Sequence, residues 1–236
     1  MARRFVARIA EKLEDVQAAQ ALRGRVFRRG LADRDSFDER CKHVLVEDQS
    51  NGQLVCTFRI QPFENGREIR QSYAAQFYEL SALTTYNGKL VEMGRFCIDP
   101  HFNDPDILRA AWGMMTRYVD EKNVKLLFGC SSFHGAEADA HLEAFALLKD
   151  RHLAPRKYLP QIKAPKVFRF ARLMRKPNLR AAQSAMPPLL RTYLMMGGWT
   201  SDHAVVDRDL DTLHVFTGLE IGAIPAARKR LLRASS

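Results

Sequence analysis

Residues 89–135 constrain the fold more than any other part of this chain. They read KLVEMGRFCIDP at 89–100, DPDILRAAWGMMTRYVDEK at 104–122 and KLLFGCSSFHG at 125–135. The first and third pieces are continuous apolar runs, as buried strands are. The middle piece places Ile107, Leu108, Ala111, Met114, Met115, Tyr118 and Val119 at helical spacing, with Asp104 or Asp106 as N-cap and Pro105 early in the helix. Strand, helix and strand in this order predict a crossover unit with parallel strands, and hence an α/β domain.

Glu92 and Arg95 interrupt the first of these strands. Three residues apart, they point to opposite faces of a regular strand unless a bulge at Gly94 turns both toward one cleft. A bulge also bares backbone N–H groups that can hold a thioester carbonyl and its oxyanion while Glu92 accepts a proton. The alternative is a structural ion pair at a strand end.

The rest of the chain supplies partners for this unit. Residues 5–9 alternate as an opening strand, and 13–27 has helical spacing through Leu13, Val16, Ala19, Leu22 and Val26. That helix ends in Arg23, Arg25, Arg28 and Arg29, where cations complement the dipole or reach an anionic ligand. Two apolar runs, 44–47 and 54–61, flank the turn Gln49-Ser50-Asn51-Gly52 and predict a hairpin. Arg59 lies inside its second strand, where an unpaired guanidinium is costly, so Glu92, Asp35 or Asp38 must answer it. Residues 73–80 read as a short helix with Phe77 and Tyr78 packed in the core, and 136–148 as another helix. His134 and His141 lack a third ligand at metal-binding spacing. Gly129 to Phe133 lacks the G-x-S-x-G elbow of serine hydrolases.

Charge is uneven. Residues 151–180 carry ten lysines and arginines and no acid, equal to the whole chain's net charge of +10. Val167, Phe168, Phe170, Leu173 and Met174 are interleaved with them. Lys166, Arg169, Arg172 and Arg175 are therefore candidates for meeting either an anionic membrane surface or an acidic carrier protein. Nucleic acid is disfavoured, because no recognition motif accompanies the charge. Four separated cysteines without a C-x-x-C pair indicate neither a disulfide framework nor a zinc site. No run of eighteen apolar residues exists and the N-terminus lacks a leader pattern, so a cytoplasmic protein is expected, with contact at the inner face of the cytoplasmic membrane as an alternative.

Four blocks in order carry a family resemblance: LRGRVFRRG at 22–30, DSFDERCKHVLV at 35–46, VEMGRFCIDP with FGCSSFHG, and the C-terminal PPLLRTYLMMGGWTSDHAVVDRDLDTLHVF at 187–216. The chain resembles the ornithine acyl-ACP N-acyltransferases, members of the GNAT superfamily that are similar to the autoinducer synthases. The resemblance implies an α/β, GNAT-like acyltransferase fold over residues 1–236. It has a mixed sheet flanked by helices, a basic helical insertion at 150–185 and a C-terminal sheet completion at 186–225.

It also implies transfer of a 3-hydroxyacyl chain from acyl-ACP to the α-amino group of ornithine. Glu92 and Arg95 are then the catalytic pair, and Arg25, Asp35, Asp38 and Arg59 the substrate-binding residues. An arginine (Arg95, Arg59 or Arg25) would take the α-carboxylate, and Asp35 or Asp38 the distal ammonium. No resident cofactor is expected, since 4'-phosphopantetheine arrives with the donor. Residues 101–106, HFNDPD, offer no glycine and two carboxylates where a CoA pyrophosphate would sit, which favours the carrier-bound donor. Glutamine or lysine as acceptor, an autoinducer synthase using S-adenosylmethionine, and a non-catalytic membrane- or carrier-binding protein are the alternatives. Asp207 and Asp209 read as a polar turn, and 228–236 as a frayed basic tail.

Overall fold

The computed structural model describes residues 3–28 and 30–234. The strands are β1 (Phe5–Ile9), β2 (Lys42–Asp48), β3 (Gln53–Phe63), β4 (Tyr78–Glu79), β5 (Lys89–Ile98), β6 (Val124–His134), β7 (Gln161–Ile162), β8 (Val167–Phe168), β9 (Trp199–Asp207) and β10 (Thr212–Glu220). The helices are α1 (Leu13–Phe27), α2 (Pro105–Lys122), α3 (Leu142–Arg151), α4 (Leu179–Ala185), α5 (Pro188–Met195) and α6 (Ala226–Ala234). The expected strand, helix and strand at 89–135 are thus β5, α2 and β6. Asp104 is the N-cap of α2: its carboxylate accepts the Asp106 N–H at 2.9 Å, and Pro105 occupies the first turn.

The chain forms two compact units that interleave in sequence. Among the described residues, the first holds 3–28, 30–62, 91–124 and 226–234. In it β1 runs antiparallel to β2, from Phe5 opposite Asp48 to Ile9 opposite Val44, and β2 runs antiparallel to β3. The hairpin turn is fixed by Asp48, whose carboxylate accepts from the Ser50 N–H and hydroxyl, and Gly52 takes the positive φ of 72° that the turn requires. Helix α1 packs on β2, and α2 packs on β1 and β2. Residues 226–234 are helical rather than frayed, because α6 packs on α2 and Arg233 grips both carboxylate oxygens of Asp120, at 2.9 and 3.1 Å. Arg29 and Ser235–236 lie outside the described residues.

The second unit holds residues 63–90 and 125–225. Here β10 lies between β6 and β9, antiparallel to both, and β8 extends the edge beside β9. One apolar cluster gathers Phe63, Tyr78, Phe128, Trp199 and Phe216; another gathers Phe133, Phe145, Phe170 and Leu213. Gly218 allows the first: a Cβ there would meet the Trp199 ring at 2.4 Å. Two expectations need correction. Residues 73–80 form a single 3-10 turn at Ala74–Gln76 and the strand β4, not a helix, although Tyr78 is core as expected. The basic segment 150–185 is mostly irregular chain after the end of α3, with two 3-10 turns (Arg156–Tyr158 and Phe170–Arg172), the short strands β7 and β8, and α4 at its end. Its pairing to β9 and the burial of Phe170 override any helical tendency. Asp207 caps the β9–β10 turn by accepting the Asp209 and Leu210 N–H groups, as a polar turn should.

Candidate active site

The first unit contains a network of buried charge that links α1, the loop after it, β3 and β5. Arg23, on the inner face of α1, is wholly buried. It donates from Nε to Asp33 at 2.9 Å and from its two terminal nitrogens to Asp38 at 2.8 and 2.9 Å. Arg59 on β3, 3% exposed at its side chain, donates to both oxygens of Asp35 at 2.6 and 2.8 Å and to Asp38 at 2.8 Å. Arg95 on β5 donates to Asp33 at 3.0 Å and to Asp35 at 3.3 Å. Arg28 adds a 3.2 Å bond to Asp33. Three buried guanidinium groups thus face three aspartates, so the desolvation of each charge is offset by an opposite one and by directed hydrogen bonds.

Loop 33–40 owes its shape to this network. Asp35 also accepts the Phe37 N–H at 2.9 Å, and Asp38 accepts from Gln20 Nε2 at 3.0 Å. Phe37 packs down, with the Arg59 guanidinium 5.6 Å from its ring centroid. Gly24 lets the loop close on α1, since a Cβ there would meet the Leu31 carbonyl oxygen at 2.1 Å. Beneath the loop, His43 is buried with Nε2 3.2 Å from the Asp38 carbonyl oxygen, and burial pushes its pKa down.

The carboxylates respond to their neighbours. Burial alone would raise the pKa of Asp38, yet the hydrogen bonds and charges of Arg23 and Arg59 outweigh it and hold Asp38 well below the usual carboxylate range. Asp35 is lowered in the same way against burial by Arg59, then Arg95. Asp35 is also the most accessible carboxylate of the three, its side chain 24% exposed against 8% for Asp38 and 2% for Asp33.

Strand β5 adds Glu92 and Arg95 to this part of the unit. Glu92 is 4% exposed in the middle of the strand. Arg95 takes a left-handed φ of 53°, so the break expected at Gly94 falls one residue later. A left-handed arginine inside a strand is a strained conformation of the kind that clusters at functional sites. The break directs Arg95 toward Asp33 and Asp35 and leaves residues 94–96 partly accessible. Gly94 itself faces Arg59, whose Nε lies 4.0 Å from where a Cβ would be. Cys41 reports on the same space: burial lifts its pKa to about 12, Arg59 opposes this, and the charges of Glu92, Asp35 and Asp38 add to it. Glu92 therefore shares the electrostatic environment of the Asp35–Arg59 pair, and Cys41 is not a thiolate nucleophile.

Five of the six expected catalytic and substrate-binding residues are thus brought together. Arg25 is not: it is half exposed and donates to Asp99 at 3.0 Å. The Asp38 carboxylate accepts from Arg23, Arg59, Gln20 and the Asp35 N–H, which makes it a brace for the loop. Sequence reasoning missed Arg23, Asp33, Gln20 and His43. Arg23 had a signal, because it lies four residues after Ala19 on the apolar face of α1, where a cation demands a partner. Elsewhere, His141 Nε2 sits 2.9 Å from the His134 carbonyl oxygen, a local contact.

Residues 19–113, which hold the whole network, match the acetyltransferase (GNAT) domain. The chain is 31% identical to the L-ornithine N(alpha)-acyltransferase of Brucella abortus (strain 2308) over 92% of its own length and 84% of that protein. The chain belongs to this family of ornithine acyltransferases. A second relative of the same name, from Rhodobacter capsulatus, is 29% identical over 92% of this chain and 90% of that protein. Among solved structures, the fold of this acyltransferase is similar to FeeM, an N-acyl amino acid synthase from uncultured soil microbes. That likeness has a TM-score of 0.54 at 14% identity, covering 93% of this chain and 92% of the other. It is also similar to BjaI, a CoA-dependent acyl-homoserine lactone synthase, with a TM-score of 0.52 at 11% identity over 98% and 87% of the two chains. The fold is therefore α/β and GNAT-like, a mixed sheet flanked by helices. No helix among the described residues is long and apolar enough to cross a membrane.

Proposed function

We propose that this acyltransferase moves a 3-hydroxy fatty acyl chain from acyl-ACP to the α-amino group of L-ornithine, giving lyso-ornithine lipid, the first step of ornithine lipid synthesis. One observation carries the reading: the match to ornithine acyltransferases, over 92% of the chain, includes a strand that sets a buried glutamate and a left-handed arginine beside a braced acidic loop. The amine nitrogen attacks the thioester carbon, the C–N bond forms and the C–S bond breaks. Glu92, directly or through water, takes the proton of the ammonium, whose pKa of about 8 to 10 leaves little free amine at neutral pH. That proton then goes to the departing thiolate. Backbone N–H groups at residues 94–96 would hold the carbonyl oxygen as it gains charge.

Asp35, the accessible carboxylate of the network, would meet the distal ammonium of ornithine at the edge of the loop. Arg95 and Arg59 would hold the α-carboxylate in exchange for part of their bonding to Asp35. The reaction needs no resident cofactor, because 4'-phosphopantetheine enters with the donor. The start of α2 supports a carrier-bound donor. Its first turn is already capped by the Asp104 carboxylate, Pro105 has no N–H, and Asp106 binds Arg109, so a pyrophosphate finds no free cradle there.

The test is incubation of the full chain with 3-hydroxyacyl-ACP and, separately, ornithine, glutamine, lysine or S-adenosylmethionine, followed by mass spectrometry. N-acylornithine with one free carrier thiol per product is the expected outcome. Acylglutamine or acyllysine in its place would move the acceptor, and an acyl-homoserine lactone would overturn the reading.

A further inference from the structure

Met174 stands out from every other large apolar side chain of the second unit. It is 96% exposed, at the centre of the sequence Arg172-Leu173-Met174-Arg175-Lys176. Apolar side chains scattered singly over a surface are ordinary, but this one is held up by its surroundings. On one flank Phe170 is wholly buried and Leu173 packs partly against the same cluster, while the Leu173 carbonyl accepts from Lys149. On the other flank Glu143 binds the Arg175 guanidinium and accepts the Asn178 N–H at 2.7 Å. The segment is anchored on both sides of Met174, so its exposure is built into the fold. Leu179, at the start of α4, adds a second apolar side chain, 42% exposed.

The charge carried by this segment has one sign. Residues 151–180 contain no acid, and Arg172, Lys176 and Arg180 are exposed and make no ion pair among the described residues. Glu143 neutralises Arg175, so Arg175 contributes less than its neighbours. Exposed cations flanking a projecting methionine in the chain suit a surface that is anionic at its face and apolar a few ångströms beneath. A bilayer with acidic headgroups has that layering.

We infer that residues 172–180 form a membrane-docking tip, with Met174 and Leu179 entering the headgroup boundary and Arg172, Lys176 and Arg180 held at the anionic lipid face. The inference rests on the proposed acyl transfer in one respect: an acylated amino acid is an amphiphile, and a docked enzyme releases it where it partitions.

The experiment keeps the two readings separate. Sedimentation of the full chain, without substrates, is measured with vesicles of phosphatidylcholine alone and with phosphatidylglycerol added. Turnover is measured apart from this in vesicle-free solution. Binding should require phosphatidylglycerol and fade as salt shortens the screening length to about 3 Å at 1 M. Met174→Ser should weaken it about tenfold by removing one inserted apolar side chain. Arg172→Glu with Lys176→Glu should weaken it at least tenfold, while vesicle-free turnover stays at the parent level. Equal sedimentation of parent and variants, or none with phosphatidylglycerol, would overturn the inference. So would a raised KM for acyl-ACP in vesicle-free solution, which marks a carrier-docking patch. Loss of ornithine turnover in the parent would instead count against the acyl transfer.

Discussion

The two units handle positive charge in opposite ways. In the first, Arg23, Arg59 and Arg95 have side chains no more than 8% exposed, and each meets at least two aspartate or backbone acceptors. In the second, residues 151–180 carry ten cations and no acid, and most of these side chains face water. A buried charge persists only when balanced, so its partners say what it braces; here that is loop 33–40 beside β5. An exposed charge excess stabilises little and is available to an outside partner. Position and pairing, rather than the number of arginines, separate the buried framework beside β5 from the solvent-facing basic segment.

Substitutions should expose that contrast. Arg23→Met strands Asp33 and Asp38 without their shared partner and should cost about 3–5 kcal/mol, read by urea denaturation. A cost under 1 kcal/mol would mean that the network is not a brace. Removing Arg172 or Lys176 singly should shift stability by no more than about 0.5 kcal/mol, as surface changes do. A larger loss there would blur the distinction between the regions.

The pH dependence of stability sharpens it between these extremes. Asp35 and Asp38 have folded pKa values below the ordinary one, so their contribution is present above about pH 4 and is lost as pH falls toward the folded values. His43 is also depressed, by burial, so a smaller contribution present above about pH 6.5 is lost below it. The half-buried His152 moves in the same direction, so His43→Gln should remove only part of that upper limb. Asp38→Asn should flatten the acid limb in a melting-temperature series. A parent whose stability rises on acidification would contradict the assignment.

Much of this framework is legible in the sequence, for physical reasons. Arg59 in an apolar strand had to be answered, and Asp35 and Asp38 are its partners. Glu92 and Arg95 break a buried run, and the break is real, though Arg95 rather than Gly94 adopts the left-handed conformation. What was not legible depends on tertiary closure. Arg23 looks like one of several arginines at a helix end until the loop folds back and Asp33 and Asp38 enclose it. Arg25, two residues on, turns instead to Asp99. Residues 226–234 are too short and too charged to predict a helix, which becomes stable against α2 through Arg233 and Asp120. The basic segment follows its pairing with β9 rather than its own periodicity.

If Glu92 on β5 is the base, as proposed, Glu92→Gln removes it while leaving the strand in place. The variant keeps the shape of the side chain, so it should fold, and kcat for acylation of ornithine at neutral pH should fall by about 10²- to 10⁴-fold. Raising the pH toward the amine's own pKa should recover much of the loss, because the nucleophile then arrives deprotonated. A folded variant with turnover within a few-fold of the parent at neutral pH would make Glu92 structural and place the base elsewhere.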